Sequence, residues 1–399
     1  MHQIIDRQQA ARLHPLLRLG FRPFFLAGAL FSIACLVPWG FYLLNGTDLS
    51  PYGGMLWWHM HEMVFGFSSA IIAGFLLTAV QTWTGIPGLK GMPLAALVLL
   101  WLAGRLLLVT PGNVPPLMIA LVDCAFPLVT AFIMARYVIR VKMWRNLVFT
   151  PVLLLMSLAS ARMYYGQMSG DYSHVTGGAY SGVYLITLLM VVLGGRVIPF
   201  FTAKGTGTLQ AEKRQWVEAC AIIPLIIMAL LVVSGLSGWL PWLVALCAAI
   251  ALTANLIRFL SWRSLLTLGT PLLWSLHGAY AFILLGLLLT VMHYAGLPVP
   301  ATSMIHALTL GGIGGLILAM MARVSLGHTG RPLVTGKAMA LAFFLILMSA
   351  IIRLSAGLLT TGTVHAWLSS IALWVSAYGI FFIVYLPMLS KPRVDGAPG

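Results

Sequence analysis

The chain has 399 residues, of which 60% are hydrophobic and only 8% charged, against about 25% charged for an ordinary soluble domain. This composition excludes a water-soluble monomer and points to an all-α, polytopic membrane protein, whose spans each need about 20 mainly apolar residues. The net charge of +15 is scattered between apolar runs, whereas a nucleic-acid partner needs a concentrated basic face, so no nucleic acid is expected.

The first 23 residues, MHQIIDRQQAARLHPLLRLGFRP, carry four arginines before any apolar run and offer no small-residue cleavage site. They read as a retained cytoplasmic segment rather than a signal peptide. Twelve apolar runs follow, at about 24–44, 54–80, 93–109, 114–139, 147–166, 178–200, 216–235, 238–260, 270–294, 300–322, 337–357 and 363–388, each read as a helix. Residues 24–388 thus form one transmembrane domain, a bundle of about twelve helices, and 389–399 a cytoplasmic tail. Of the 23 Lys and Arg, 19 lie on the side of the N-terminus and of the connections after even-numbered spans. The opposite loops hold none, and Arg105, Arg162, Arg196 and Arg353 fall inside spans. The positive-inside rule then puts both termini in the cytoplasm. Cys35, Cys124, Cys220 and Cys247 stand alone, without CxxC or CxxCH spacing, which removes support for disulfides, zinc ribbons and covalently attached haem.

Ionisable side chains cost free energy in a bilayer, so their positions point to chemistry. Span 2 opens with Trp57-Trp58-His59-Met60-His61-Glu62-Met63. On a regular helix His59, Glu62 and Met63 share a side and His61 points roughly the other way, so the two histidines serve different partners. Imidazole suits haem iron and copper, and thioether sulfur suits Cu(I). That makes His59, His61, Met60 and Met63 candidate metal ligands, the alternative being a polar interhelical hydrogen-bond cluster, with His277 in span 9 and His306 in span 10 as further candidates, each equally readable as a hydrogen-bonded core histidine. His328 falls in the connection after span 10, where a solvated histidine is the simpler reading, and His2, His14, His174, His293 and His365 read as background. Arg105, Arg162 and Arg353 sit near the outer ends of their spans. Three guanidiniums at one level suit an anionic ligand such as haem propionates; the alternative is snorkelling to the interface, and Asp123 could neutralise Arg105 from the adjacent span. Arg196, at the other end of span 6, could meet His277 and His328. The run GGIGG places Gly311 and Gly315 on one helix face, for close helix packing or for a flat cofactor.

LGFRPFF (Leu19 to Phe25), WHMHEMVFGF (Trp58 to Phe67), AGFLLTAVQTWTG (Ala73 to Gly85), LWLAGR (Leu100 to Arg105), GGRVIPFFT (Gly194 to Thr202), PLLWSLHGAY (Pro271 to Tyr280) and HALTLGGIGGLILAMMARVSLGHTGRPL (His306 to Leu333) closely resemble the NnrS family. The resemblance runs from the first span to the last. It implies a twelve-helix bacterial inner-membrane protein containing haem and copper and linked to nitric oxide metabolism and nitrosative-stress resistance. It also implies His59, His61, Glu62, His277, His306, His328, Arg196 and Arg323 as the family's polar positions.

Two functions follow as expectations. The first is redox or sensing chemistry on nitric oxide or a nitrosyl species at buried His-ligated metals, as in a metal-dependent oxidoreductase with a membrane electron donor. A b-type haem would lie between His59 and His306, its propionates near Arg105, Arg162 and Arg353, leaving His61 for copper with Met60. The converse assigns His61 to haem and His59 with Met63 to copper. A separate inner level would hold Arg196, His277, Arg323 and His328. The second function is transport of copper or a small anion, which should bring inverted repeats and broken spans near the midplane. Trp58-x-x-His61 and Trp274-x-x-His277 are too short a match to establish a repeat.

Overall fold

The computed structural model describes residues 12–358 and 361–397. Among them there is no strand, and twelve helices are long and apolar enough to cross a membrane. The chain is a multi-pass membrane protein. The spans are α1 (Phe21–Leu43), α2 (Gly54–Thr84), α3 (Met92–Val109), α4 (Pro116–Arg140), α5 (Phe149–Ser169) and α6 (Tyr172–Thr206). They continue with α7 (Gln215–Val233), α8 (Pro241–Ser261), α9 (Pro271–Tyr294), α10 (Ala301–His328), α11 (Lys337–Ser355) and α12 (Thr363–Leu389). The expected N-terminal segment lies partly outside the described residues.

Local chemistry sets the ends. Pro93, Pro116, Pro241 and Pro271 stand in the first turns of α3, α4, α8 and α9, where a fixed φ helps and the missing N–H costs nothing. Gly170, at φ 74°, ends α5, and the Asp171 carboxylate then accepts the Ser173 N–H at 2.9 Å. With this cap the polar stretch from Tyr172 to Gly177, expected to be a connection, forms the first turns of α6. In α10 nothing breaks the helix until Gly330, at φ 75°. His328, expected in a connection, is therefore the last helical residue, half-buried with its ring 5.5 Å from that of Phe21.

Two spans depart from regular α-helix. His61 is followed by a π-helical segment, Glu62–Ser68, and His306 by another, Ala307–Gly314. Such i→i+5 turns are uncommon and concentrate at functional sites.

The helices group into two compact units. The first holds the described residues up to Ala179, Met321–Leu333 and those from Phe381 on; the second holds Tyr180–Met320 and the described part of Val334–Ile380. In the first, α1 packs on α2, and α4 packs against α2, α3 and α5. A Cβ at Gly74 of α2 would stand 2.8 Å from that of Phe24 on α1. In the second, α9 packs against α8, α10 and α11. Gly311 and Gly315 of α10 face Phe282 and Ala279 of α9, so close helix packing occupies the face that a flat cofactor would have needed. Ser349 of α11 and Ser370 of α12 each donate a hydroxyl to the other's carbonyl, at 2.7 and 2.9 Å.

Candidate functional site

The first unit encloses a ring of four ionisable side chains on α2, α3 and α4. His61 and Glu62 have no exposure, and Arg105 and Asp123 almost none. Nδ1 of His61 lies 2.9 Å from Oε1 of Glu62. Both Glu62 oxygens accept from Nη1 of Arg105 at 2.8 Å, and Nη2 of Arg105 donates to Oδ1 of Asp123. The ring closes where Oδ2 of Asp123 lies 3.1 Å from Nε2 of His61. Ser160 of α5 joins there, donating its hydroxyl to Asp123 at 3.1 Å and lying 3.0 Å from Nε2.

The surrounding residues hold this ring in place. Trp57 stacks on the His61 imidazole, centroids 4.6 Å apart and planes 7° apart, and Tyr164 meets it edge-on at 5.4 Å. Gly66, in the π segment, leaves space for the guanidinium: a Cβ there would lie 2.5 Å from Nη1 of Arg105 and 2.8 Å from Oε2 of Glu62. The hydroxyl of Tyr164, the indole N–H of Trp58 and Nε of Arg105 are buried without a hydrogen-bond partner among the described residues. In a bilayer such orphan donors are costly.

Two carboxylates face one guanidinium, so the ring reaches neutrality with one further proton. Geometry asks for the same proton. A neutral imidazole has a single N–H, while both nitrogens of His61 face carboxylate oxygens. The arrangement can therefore hold a proton between His61 and its two carboxylates within a span.

The two histidines of span 2 face different protein neighbours. His59 is half-buried and stacks on Trp39 of α1, centroids 4.5 Å apart. Glu62, however, does not side with His59. Its backbone is still regularly helical, with the N–H on the Trp58 carbonyl, and the carboxylate turns to the adjacent His61 and to Arg105. Arg105, offered by the sequence to an anionic ligand, is committed to Glu62 and Asp123, and Asp123 does neutralise it. Met60 and Met63 are half-buried. Among the described residues, no three His, Cys, Asp or Glu side chains are arranged to hold a metal ion.

The other candidates are distributed over both units. Arg162 of α5 donates Nε to Nδ1 of His174 at 3.3 Å and lies against Gly177. In the second unit, Nδ1 of His306 lies 2.7 Å from the Thr302 carbonyl and so carries a proton. His277 is bound at both nitrogens, Nε2 to the Thr202 hydroxyl and Nδ1 to that of Ser264, each at 2.8 Å. Thr202 spends its own proton on the Ile198 carbonyl, so Nε2 donates and Nδ1 accepts. The Arg353 guanidinium lies over Trp367, 5.0 Å from the ring centroid. Arg196 is half-buried in the second unit, and Arg323 in the first. His59 belongs to the first unit and His306 to the second.

One polar network escaped the sequence reading. Arg258, counted with the basic connections, is buried inside α8, with Nε 3.1 Å from Glu218 of α7 and Nη1 2.9 Å from Asn255. Tyr280 of α9 donates to the same Asn255 oxygen at 2.6 Å. The available signal was Gly195 in the GGR motif, since a Cβ there would overlap the Arg258 guanidinium.

Compared with known families, residues 15–393 match the model described as NnrS protein. None of the curated proteins compared with the chain matches it.

Proposed function

The chain belongs to the NnrS family, and on that premise we propose that it is a haem- and copper-binding protein of the bacterial inner membrane, with cytoplasmic termini, acting in nitric oxide metabolism or nitrosative-stress defence. Family membership supports the connection to nitric oxide. The observation that carries the reading of a chemical site, rather than a packing bundle, is the buried His61–Glu62–Arg105–Asp123 ring. Charged groups within spans are rare and mark function.

The residues fit a metal group unequally. His306 has its Nδ1–H fixed on the Thr302 carbonyl, the kind of backbone bond by which metal-ligating histidines are oriented. It is the residue we assign to haem or copper. His61 and His277 have both nitrogens engaged within the protein and suit a ligand role less well. A haem iron or copper ion supplies one-electron chemistry and a binding position for nitric oxide. Nitric oxide is small, neutral and lipid-soluble, so it needs no polar path to a buried metal. The ring's part is to hold a proton in an apolar setting, fixed by Trp57, Tyr164 and Ser160.

The test is a visible spectrum with metal analysis of protein purified after haem- and copper-replete expression. A Soret band that shifts with nitric oxide is expected, along with loss of haem or copper in His306→Ala. Reproducible absence of both metals from the folded wild-type protein would overturn the proposal.

A further inference from the structure

The end of α4 and its connection to α5 present Arg136, Arg140, Lys142 and Arg145, all exposed. Among the described residues none of these side chains forms an ion pair. The only acidic residue between Glu62 and Asp171 is Asp123, which is buried and bound by Arg105. Topology alone does not require such density, since the connection between α2 and α3 carries one basic residue, Lys90.

The same face continues in apolar form. Leu128, Phe132, Arg136 and Arg140 recur every fourth position of α4 and so share a helix face. Leu128 is 43% and Phe132 69% exposed. At the other end, Trp144 stands 60% exposed in the connection, a residue type that favours the headgroup level of a bilayer. The face thus reads, in order, as acyl-chain contact, paired guanidiniums and interfacial aromatic. Guanidiniums recognise phosphate with directed N–H groups.

We propose that this face is a binding site for an anionic phospholipid, its phosphate held by Arg136 and Arg140 with Lys142 and Arg145 beside them, and its chains lying along Phe132 and Leu128. The site is independent of any metal in the protein.

Native mass spectrometry of the purified full chain, titrated with phosphatidylglycerol, phosphatidylethanolamine or inorganic phosphate, tests it. The wild type should retain phosphatidylglycerol in preference to phosphatidylethanolamine. Arg136→Gln and Arg140→Gln should each weaken that retention about fivefold, as expected for one charge at a membrane surface, while three basic residues remain to keep the insertion topology. The double variant Phe132→Ala/Trp144→Ala keeps all four charges and should also bind phosphatidylglycerol more weakly. Equal retention of the two lipids by the wild type, unchanged binding in both Gln variants, or displacement of phosphatidylglycerol by inorganic phosphate at equal concentration would each overturn the proposal.

Discussion

The indole N–H of Trp101 on α3 donates to the carbonyl oxygen of Gly66 on α2 at 2.9 Å, inside the π segment that begins at Glu62. The second π segment has a counterpart: the hydroxyl of Tyr378 on α12 donates to the carbonyl of Gly314 at 2.9 Å. A return from i→i+5 to i→i+4 pairing passes over an acceptor. In hydrocarbon that acceptor needs a side-chain donor, because no water is present to serve it. Each irregular segment behind a histidine thus receives a hydrogen bond from an aromatic donor on a neighbouring span, and in the first the hydroxyls of Ser68 and Ser69 also serve the Met63 and Phe65 carbonyls.

Removing these donors should cost stability. Tyr378→Phe deletes one buried hydrogen bond, with an expected loss of about 0.5–1.5 kcal/mol. Trp101→Phe should cost at least as much, since it also leaves space behind. Denaturation of the purified protein in detergent measures both, and an unchanged midpoint in Tyr378→Phe would show that the carbonyl does not depend on the donor.

The buried ring makes a sharper demand. Breaking a buried ion pair from one side typically costs about 3–5 kcal/mol, because the remaining charge stays buried and unpaired. Arg105→Gln leaves Glu62 and Asp123 facing each other across His61 and should fall in that range. Adding Asp123→Asn to Arg105→Gln should then cost far less than Asp123→Asn alone. A double-mutant cycle reads this coupling, and additive losses would mean that the ring is not one unit. Gly66→Ala, which crowds Arg105 without changing any charge, should reproduce much of the Arg105→Gln loss.

Span count and parity were legible in the sequence because the hydrophobic runs and the basic connections report the same alternation. The pairing of Arg105 with Asp123 was legible too, since neighbouring spans offered one guanidinium and one carboxylate. The side on which Glu62 lies was not. A regular 3.6-residue count puts its backbone with His59, and that count holds as far as Glu62; the carboxylate nevertheless reaches the adjacent His61 and Arg105, which spacing along one helix does not report. Arg258 was misread for a related reason. Near the end of a span, a basic residue looks the same whether it turns out to the connection or inward to Glu218, and only the small residue opposite it, Gly195, separates the cases.

The tail after α12 gives a pH expectation. Asp395 is paired with Arg393, at 2.9 and 2.6 Å, and Arg393 also donates to the His328 carbonyl at 3.0 Å. The hydrogen bonds from Arg393, followed by that from the Ala397 N–H, hold the Asp395 carboxyl well below the usual carboxylate range. A depressed folded value means the contribution is complete above the ordinary carboxylate pKa and is lost only as the pH falls through the lower, folded one. Proteolytic release of the tail should therefore be flat between about pH 8 and 5, and faster throughout that range in Asp395→Asn. Loosening of the wild-type tail within that window would point to another titrating group, with His328 the nearest candidate.

The last expectation concerns Gly195 and Arg258. A methyl group at Gly195 would overlap the guanidinium, so Gly195→Ala must displace Arg258 from Glu218 and from Asn255, which also receives Tyr280. A buried guanidinium torn from its partners should destabilise by about 3–5 kcal/mol. If the clash alone is responsible, Arg258→Ala should relieve it. Glu218 is 28% exposed at its side chain and can be solvated once Arg258 is gone, and the alanine at 195 then meets open space. The double variant should therefore be more stable than Gly195→Ala alone, an inversion that independent sites cannot produce. Thermal denaturation of the three variants decides it. A double variant less stable than both singles would mean that Gly195 is needed for some contact other than the seat of Arg258.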